Sequence, residues 1–247
     1  IVAACEDYGI NLIFLEPNID QKHQLFLPNT ERQIYEGIEK TKPQVLLLTN
    51  PTYEGMCLNL KSLVETVNRR YPELVVFVDE AWGAHLHFSD KLPTSAMEAG
   101  ADICVQSTQK QGGSLQQSGM IHWKEGKINN DLLLESYRSL GTSSPSYLLL
   151  ASLDSAREIM EKKGKKKLEY MLMIAKRFSK EISYIDDFEI VSTEYLKNNH
   201  SSVYERDETK VIVDVAKAGF NGYEVANILE TKYKIIVEAY NIKTILF

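Results

Sequence analysis

The sequence predicts an α/β protein: a mostly parallel sheet with helices on both faces, followed by a smaller α+β domain. Between residues 11 and 106, short apolar segments alternate with segments of helical period, which is typical of a parallel sheet. The connections between these segments are short. From Asn129 the pattern turns helical, and it ends in a β–α–β order. We therefore expect a partial large domain over residues 1–160 and the beginning of a truncated small domain over residues 161–247.

Four strands are expected in the first half of the chain. Residues 11–15 form a short apolar run bounded by a glycine and a proline. Residues 44–49 and 74–78 are apolar on both faces, as buried parallel strands are. Residues 102–106 complete the set. These runs define the expected central sheet.

Helices are expected between these strands. Residues 1–9 resemble the tail of a helix that ends at a glycine. Residues 31–40 are polar with a helical period, and residues 58–70 carry their apolar side chains on one helical stripe. Ser95 and Glu98 frame a one-turn helix that a glycine closes. Each strand therefore has a helical neighbour along the chain.

The second half is expected to contain long helices and then a small mixed unit. Pro145 suits a helix start, because its missing N–H is not needed there. The basic cluster at residues 162–167 is interpreted as a solvated helix break and not as an RNA or phosphate patch. The expected helices are 130–140, 145–163, 165–183 and 222–233, and the expected strands are 210–215, 235–238 and 242–247.

Composition excludes several classes of protein. A formal charge of −6 and a pI near 5.5 argue against nucleic-acid binding. No apolar run approaches the roughly 20 residues that span a bilayer, so no membrane partner is expected. Cys5, Cys57 and Cys104 have no CxxC spacing, which favours a reducing, cytoplasmic location. Because the chain starts at Ile1 and ends within an apparent strand, we expect a segment of a longer protein.

Candidate chemistry lies where the expected parallel strands end, since ligands bind there in open sheets. Asp79 directly follows the strand LVVFV, and Lys110 follows the strand DICVQ after three polar residues. A lysine amine, an acid and a nearby small residue (Ala81) suit pyridoxal phosphate, and Ser107 and Thr108 could bind its phosphate. The alternative is that Asp79 caps a helix and Lys110 is a solvent-exposed loop lysine.

Other polar residues are interpreted as structural. His85 and His87 alternate on an expected extended segment, so one should face inward and one outward. No carboxylate or thiol cluster completes a metal site around them, and no metal is expected. Ser118, Ser143 and Ser144 lack a GxSxG setting, which disfavours a hydrolase. The absence of GxGxxG and GxxxxGK[ST] likewise disfavours a nucleotide-binding domain.

Four segments together carry a family resemblance: VDEAWGAHLHF, LPTSAMEAGADICVQSTQK, QQSGMIHW and SSPSYLLLASLDSAR. The chain resembles the Orn/Lys/Arg decarboxylase family of fold type I pyridoxal-phosphate enzymes, most closely its shorter, arginine-decarboxylase-like members. The match runs from about residue 10 to about residue 153, and GYEVANILETKYKIIVE resembles the family's C-terminal domain. The resemblance implies a pyridoxal-phosphate-dependent transferase-like large domain and pyridoxal 5'-phosphate as cofactor.

The resemblance also implies roles for individual residues. Lys110 would bind the cofactor covalently, Asp79 would pair with its pyridine nitrogen, and Ala81 would pack on the ring face. Two further cofactor-binding positions depart from the family pattern, because Trp82 and Gln109 stand where many members have histidine. The remaining implied contacts come from Ser107 to the phosphate, Asn50 to the ring oxygen, and Thr142, Ser143 and Ser144 to a phosphate in the same or the neighbouring subunit.

The implied activity is decarboxylation of arginine, lysine or ornithine to CO₂ and a polyamine-type amine. The implied assembly is a homodimer or an assembly of dimers. The upstream phosphate-binding loop and the histidine that stacks on the cofactor ring should precede Ile1, so the chain alone is expected to be inactive. Two alternatives stay open: another fold type I enzyme such as an aminotransferase, or a degenerate, non-catalytic paralogue.

Overall fold

Two four-stranded sheets organise residues 2–247, which are the residues described by the computed structural model. The helices are α1 Val2–Asp7, α2 Glu31–Thr41, α3 Leu60–Arg70, α4 Thr108–Gln111, α5 Asn130–Leu140, α6 Tyr147–Ile182, α7 Thr193–Asn199 and α8 Gly222–Ile228. The strands are β1 Asn18–Asp20, β2 Leu25–Leu27, β3 Val45–Thr49, β4 Met56–Cys57, β5 Val75–Asp79, β6 Ile103–Gln106, β7 Met120–Trp123, β8 Glu189–Ile190, β9 Glu205–Arg206, β10 Ile212–Asp214, β11 Ala239–Tyr240 and β12 Thr244–Leu246.

The first sheet is mostly parallel, as the sequence predicts. Its strand order is β3-β5-β6-β7, and only β7 runs antiparallel to its neighbour. The register pairs Thr49 with Asp79 and Asp79 with Val105. The carboxyl ends of β3, β5 and β6 therefore lie together at one edge of the sheet.

Helices α2 and α3 cover the first sheet through their apolar stripes. Thr30 caps α2 in a capping box, and Asn59 caps α3 by accepting from the Ser62 N–H. The buried helix residues pack in one cluster with the buried strand residues: Ile34, Ile38, Leu63, Val64, Val67, Leu46, Leu48, Val76 and Val78. The apolar stripes of α2 and α3 and the buried residues of the strands therefore form one core.

The second sheet is antiparallel, with strand order β11-β12-β10-β8. Ala175 of α6 is buried with Val211, Val213 and Ile245, so this long helix packs on the second sheet. Among residues 2–247, no helix combines the length and the apolar character needed to span a bilayer.

A hairpin and a strand pair join the two sheets. The β1–β2 hairpin buries Leu25 and Leu27 against Leu196 and Ile212 of the second half. Strand β4 pairs with β9, so Met56 lies opposite Arg206. Helix α6 runs continuously across residues 160 and 161, and the division of the chain at that point stays a prediction.

The expected strand at residues 11–15 is wrong. This segment is irregular, and the Ile13 and Phe14 side chains are 52% and 69% exposed. Only Leu15 packs against the core. An apolar run becomes a strand only where a neighbouring strand can pair with it, and the nearest pairing forms later in the chain, in the unpredicted β1–β2 hairpin.

The expected helix break at residues 162–167 is also wrong, because α6 is one helix of 36 residues. Gly164 is buried against Phe88, and a Cβ added to the glycine would lie 3.2 Å from the Phe88 Cβ. The glycine therefore allows close packing instead of ending the helix. The helix begins at Tyr147, after the Ser146 cap, so Pro145 precedes its first turn.

Two smaller elements differ from expectation. Ser95 and Glu98 make the expected capping contact (Oγ to Oε2, 2.7 Å), but the segment is a hydrogen-bonded turn and not a helix. Residues 235–238 are irregular and not a strand, and Ile236 is 81% exposed. The preceding helix extends through the π-helical turn Leu229–Tyr233, so the chain reaches the second sheet only at β11.

Candidate active site

Asp79 is the last residue of β5, at the edge where the parallel strands end. Its Oδ1 accepts from the Ala81 N–H at 3.0 Å, and its carbonyl accepts from the Asn50 N–H at 3.0 Å. Within residues 2–247, no hydrogen bond engages its Oδ2. A turn and not a helix follows this residue, so Asp79 does not act as a helix cap. Its half-buried carboxylate keeps one oxygen available to a ligand.

Lys110 lies in the short helix α4, which follows β6 at the same edge. Its Nζ lies 4.4 Å from the centre of the Trp82 ring. No carboxylate of residues 2–247 forms an ion pair with this ammonium group. Trp82 is only three residues beyond Asp79 in the chain, so the structure brings the predicted lysine and the predicted acid to one side of the sheet.

Trp82 is surrounded by groups that the sequence analysis did not single out. Its ring meets the Tyr53 ring edge-on, with centres 4.8 Å apart. The Nζ of Lys210 lies 4.1 Å from the centre of the same indole. Burial lowers the pKa of Lys210 to about 8. Lys210 comes from the β9–β10 turn, and no local pattern marks a lysine at the start of an apolar strand as part of a distant site.

Glu80 is a buried acid next to Asp79 in the chain. Burial raises its pKa to about 7, although hydrogen bonds from the Gln106 side chain and the Ala96 N–H, both 2.6 Å, oppose the shift. Gln106 in turn contacts His122 Nε2 at 3.1 Å. Sequence analysis missed Glu80, because alternation along a strand predicts its direction but not its partners.

The two histidines of the AHLH segment face in opposite directions, as predicted. His85 is fully buried and its Nε2 lies 3.0 Å from Asp207 Oδ2, whereas His87 is exposed and contacts Glu98 at 2.9 Å. The segment is not extended, since Leu86–Phe88 forms a 3₁₀ turn. Burial alone would raise the pKa of Asp207. The contacts with His85 and Thr209 outweigh burial, so the pKa of Asp207 lies below its ordinary value.

Several buried polar atoms near Lys110 lack partners within residues 2–247. They are Asn50 Nδ2, Thr108 Oγ1 and Gln109 Oε1. Asn50 is itself fixed, because its Oδ1 accepts from the Leu58 N–H at 2.8 Å. The half-buried Ser107 side chain makes no capping hydrogen bond to α4. Buried polar atoms are normally satisfied, so these groups, which follow β3 and β6 at the edge where Asp79 ends β5, fit a polar ligand such as pyridoxal phosphate.

Thr142 and Ser143 are not brought to this site within the chain. Both lie in the exposed turn between α5 and α6, where Thr142 Oγ1 accepts from the Ser144 N–H at 3.0 Å. No hydrogen bond connects them to Asp79 or Lys110 within residues 2–247. Their implied role toward a neighbouring subunit stays a prediction.

One sizeable cleft, of about 530 Å³, lies away from these residues, between α6 and the second sheet. Its wall includes Lys176, Thr193 and Arg206 but neither Asp79 nor Lys110. Within residues 2–247, no group of three or more His, Cys, Asp or Glu side chains is arranged to hold a metal ion. The candidate active site is instead placed at the strand ends, because Asp79, Lys110 and the unpartnered polar atoms of Asn50 and Thr108 all follow or end the parallel strands there.

Comparison with known proteins gives a consistent result. The family profile described as "Orn/Lys/Arg decarboxylase, major domain" matches residues 13–247. An arginine decarboxylase of Bacillus subtilis is 37% identical over 250 residues, covering 100% of this chain and 50% of the relative. Lysine decarboxylase LdcA of Pseudomonas aeruginosa is 31% identical over 130 residues, covering 49% of this chain and 17% of the relative. The chain spans about half the length of the arginine decarboxylases that it matches.

Solved structures show the same fold. The constitutive lysine decarboxylase of Escherichia coli matches with a TM-score of 0.72 at 21% identity, covering 95% of this chain and 39% of that one. A PLP-bound putative aminotransferase from Clostridium difficile matches with a TM-score of 0.58 at 13% identity, covering 100% of this chain and 63% of that one. The fold is therefore that of the pyridoxal-phosphate-dependent transferases.

Proposed function

Because this chain belongs to the Orn/Lys/Arg decarboxylase family, we propose that the full-length protein is a pyridoxal-phosphate-dependent decarboxylase of a basic amino acid. The observation that carries the proposal is the convergence of Asp79 and the unpaired Lys110 at the edge where the parallel strands end. Relatives named arginine decarboxylase, 36–37% identical to the chain, support the substrate class. The specific amino acid is arginine, lysine or ornithine.

The cofactor would be held by residues from three strand ends. Lys110 Nζ would bind it covalently, Asn50 would contact its ring oxygen, and Ser107 and Gln109 would contact its phosphate. When bound, pyridoxal phosphate supplies a ring that accepts the electron pair released as a bond to the substrate α-carbon breaks. The donor to the phosphate would be the Gln109 amide nitrogen, which brings no positive charge.

Asp79 would hold a proton at the pyridine nitrogen. Its Oδ1 is fixed by the Ala81 N–H, so its Oδ2 is the atom available for this contact. A carboxylate held in this way stabilises positive charge on the ring, which favours loss of CO₂ in the transition state more than it favours substrate binding. Ala81, which has a small side chain, would pack on the ring face, and Trp82 would shield the site from water.

The direct test is release of labelled CO₂ from carboxyl-labelled arginine, lysine and ornithine by the full-length protein. We expect release from at least one of them and loss of that release in Lys110→Ala. Lys61→Ala, a change of an exposed lysine on α3, is the matched control and should behave as the parent. Exchange of the α-proton without CO₂ release would instead indicate an aminotransferase-type reaction.

We also propose that the full-length protein is a cytoplasmic homodimer, or an assembly of dimers, that produces polyamine-type amines. The exposed Thr142 and Ser143 support this proposal, since they are polar and free to reach a second subunit. Sedimentation of the active protein should show a dimer or larger species. An active, strictly monomeric species would contradict the proposal.

A further inference from the structure

Lys210 is a buried lysine whose ammonium group lies outside ion-pair distance of any carboxylate of residues 2–247. The residue is 4% exposed. The ammonium instead donates a hydrogen bond to the Tyr53 carbonyl. A buried charge that is not in an ion pair needs further stabilisation, and the aromatic rings around the ammonium group supply part of it.

The Lys210 ammonium lies against two aromatic rings at the site edge. Its Nζ is 4.1 Å from the centre of the Trp82 ring and 5.4 Å from that of the Tyr53 ring. These distances fall within the range of cation–π contacts, which are strongest where water is excluded. The Nζ of Lys110 lies 4.4 Å from the same indole centre. Trp82 therefore contacts the cofactor-site lysine and the buried lysine at once.

The turn that carries Lys210 belongs to the second half of the chain and is hydrogen-bonded to residues of the first half. Asp207 contacts His85 at 3.0 Å and donates its backbone N–H to the Gly55 carbonyl at 2.8 Å. The Lys210 carbonyl accepts from Arg206 Nη1 at 2.8 Å. Gly55 has a φ of +88°, and a Cβ there would lie 3.1 Å from the Asp207 carbonyl oxygen. These contacts fix the backbone of the turn, and with it the Lys210 Cα, next to the β3–β4 connection that carries Tyr53.

We propose that Lys210 is a positioning residue of the candidate active site, whose ammonium group fixes the Trp82 indole beside Lys110. The role of Lys210 in catalysis rests on the proposed function, whereas its hold on Trp82 does not. Without the Lys210 charge, the indole loses one of its two cation–π contacts and keeps the edge-on contact with Tyr53. The wall beside Lys110 is then free to shift.

The charged groups that face Lys210 come from several segments. They are Asp207 of its own turn, Glu54 of the β3–β4 connection, Glu238 before β11, and Lys110 of α4. Tyr53 also faces it, and the Tyr53 hydroxyl donates to Glu238 at 2.7 Å. Burial lowers the pKa of Lys210, the carboxylates oppose burial, and Lys110 lowers the pKa further. The Lys210 charge beside the Trp82 ring should therefore be lost as the pH rises through about 8.

The test uses full-length protein labelled with 5-fluorotryptophan and followed by ¹⁹F NMR. The Trp82 resonance is assigned by its loss in Trp82→Phe. Between about pH 6 and about pH 10 it should shift with a midpoint near pH 8 in the parent and lose that midpoint in Lys210→Met. Lys210→Arg, which stays charged, should keep the low-pH position throughout. Lys197→Met is the matched control, because Lys197 is an exposed lysine 5.5 Å from the Tyr204 ring centre.

Catalysis gives the second readout. In a decarboxylating protein, Lys210→Met should lower kcat/KM roughly tenfold, and Lys210→Arg should restore most of it. A Trp82 resonance that has the same position at about pH 6 in the parent and in Lys210→Met, or that titrates alike in the two, would overturn the proposal. A Lys210→Arg resonance that differs from the parent at that pH, although the charge is kept, would overturn it as well. If the parent releases no CO₂ but its Trp82 resonance titrates as expected, the proposed function fails and the positioning contact stands.

Discussion

Two aspartates end strands in the two sheets with the same local geometry and different surroundings. Asp79 closes β5 and accepts from the N–H two residues later at 3.0 Å, and Asp214 closes β10 and does the same at 2.8 Å. The second oxygen of Asp214 contacts the buried His23 Nδ1 at 2.7 Å. The second oxygen of Asp79 has no hydrogen-bond partner within residues 2–247. One carboxylate is committed to the fold, and the other is open to a ligand.

The difference follows from how the strands run. In the parallel sheet the carboxyl ends of β3, β5 and β6 meet at one edge, so Asp79 is flanked by other loops that begin there. In the antiparallel sheet neighbouring strands end at opposite edges, and Asp214 lies beside the β1–β2 hairpin instead. Parallel topology therefore gathers polar groups into a site, whereas antiparallel topology leaves each strand end to be satisfied individually.

The largest expected effect is a loss of activity on substitution of Asp79, which is not expected for Asp214. Asp79→Asn keeps the side-chain shape and removes the charge, so kcat for decarboxylation by the full-length protein should fall on the order of 10²–10³, or about 3–4 kcal/mol, with KM little changed. The fold should remain intact by circular dichroism. A kcat within about threefold of the parent would show that the open carboxylate of Asp79 has no such role.

The neighbouring acid Glu80 should affect stability in a pH-dependent way. Its folded pKa of about 7 lies above its ordinary value of 4.5, so its contribution to stability is complete below the ordinary value and is lost as pH rises through about 7. Across that window the free energy of unfolding should fall by about 3 kcal/mol because of this group. Denaturant titrations of the parent and of Glu80→Gln should show this fall only in the parent. Equal pH profiles would contradict the assignment.

A smaller effect is expected at Asp214. Asp214→Asn should lower the free energy of unfolding by about 1–2 kcal/mol, because the buried His23 loses a charged partner while the amide still accepts hydrogen bonds. The kcat per folded molecule should be unchanged. Asp187→Asn, a change in an exposed loop, serves as the control and should fall within about 0.5 kcal/mol of the parent. Loss of activity in Asp214→Asn without loss of stability would contradict the claim that Asp214 serves the fold and not the site.

The sequence predicts the first sheet better than the second because of how each is encoded. Strands β3, β5 and β6 are apolar on both faces, so a short apolar run identifies each one without knowledge of its partners. The wrong strands at residues 11–15 and 235–238 have the same apolar character. They fail because no neighbouring strand is available to pair with them. Pairing is a property of the assembled fold that local composition does not carry.

The residues of the candidate site also fall into two groups, those that local sequence predicts and those that it does not. Asp79 directly follows one apolar strand and Lys110 follows the next after three polar residues, and these positions alone predict the shared edge. Lys210 reaches Trp82 from far along the chain, through a turn held by the His85–Asp207 contact. Such contacts are set by the pairing of β4 with β9, which no periodicity indicates. The sequence therefore predicts the residues at the strand ends and misses those that surround them.

The most direct test of the account is the attachment point of the cofactor. The full-length protein is incubated with pyridoxal phosphate, reduced with borohydride, digested and analysed by mass spectrometry. The account predicts that the reduced pyridoxyl group is found on Lys110 and that Lys210, although it lies against the same tryptophan, is unmodified. A label on Lys210 or on any other lysine, with Lys110 unmodified, would contradict it.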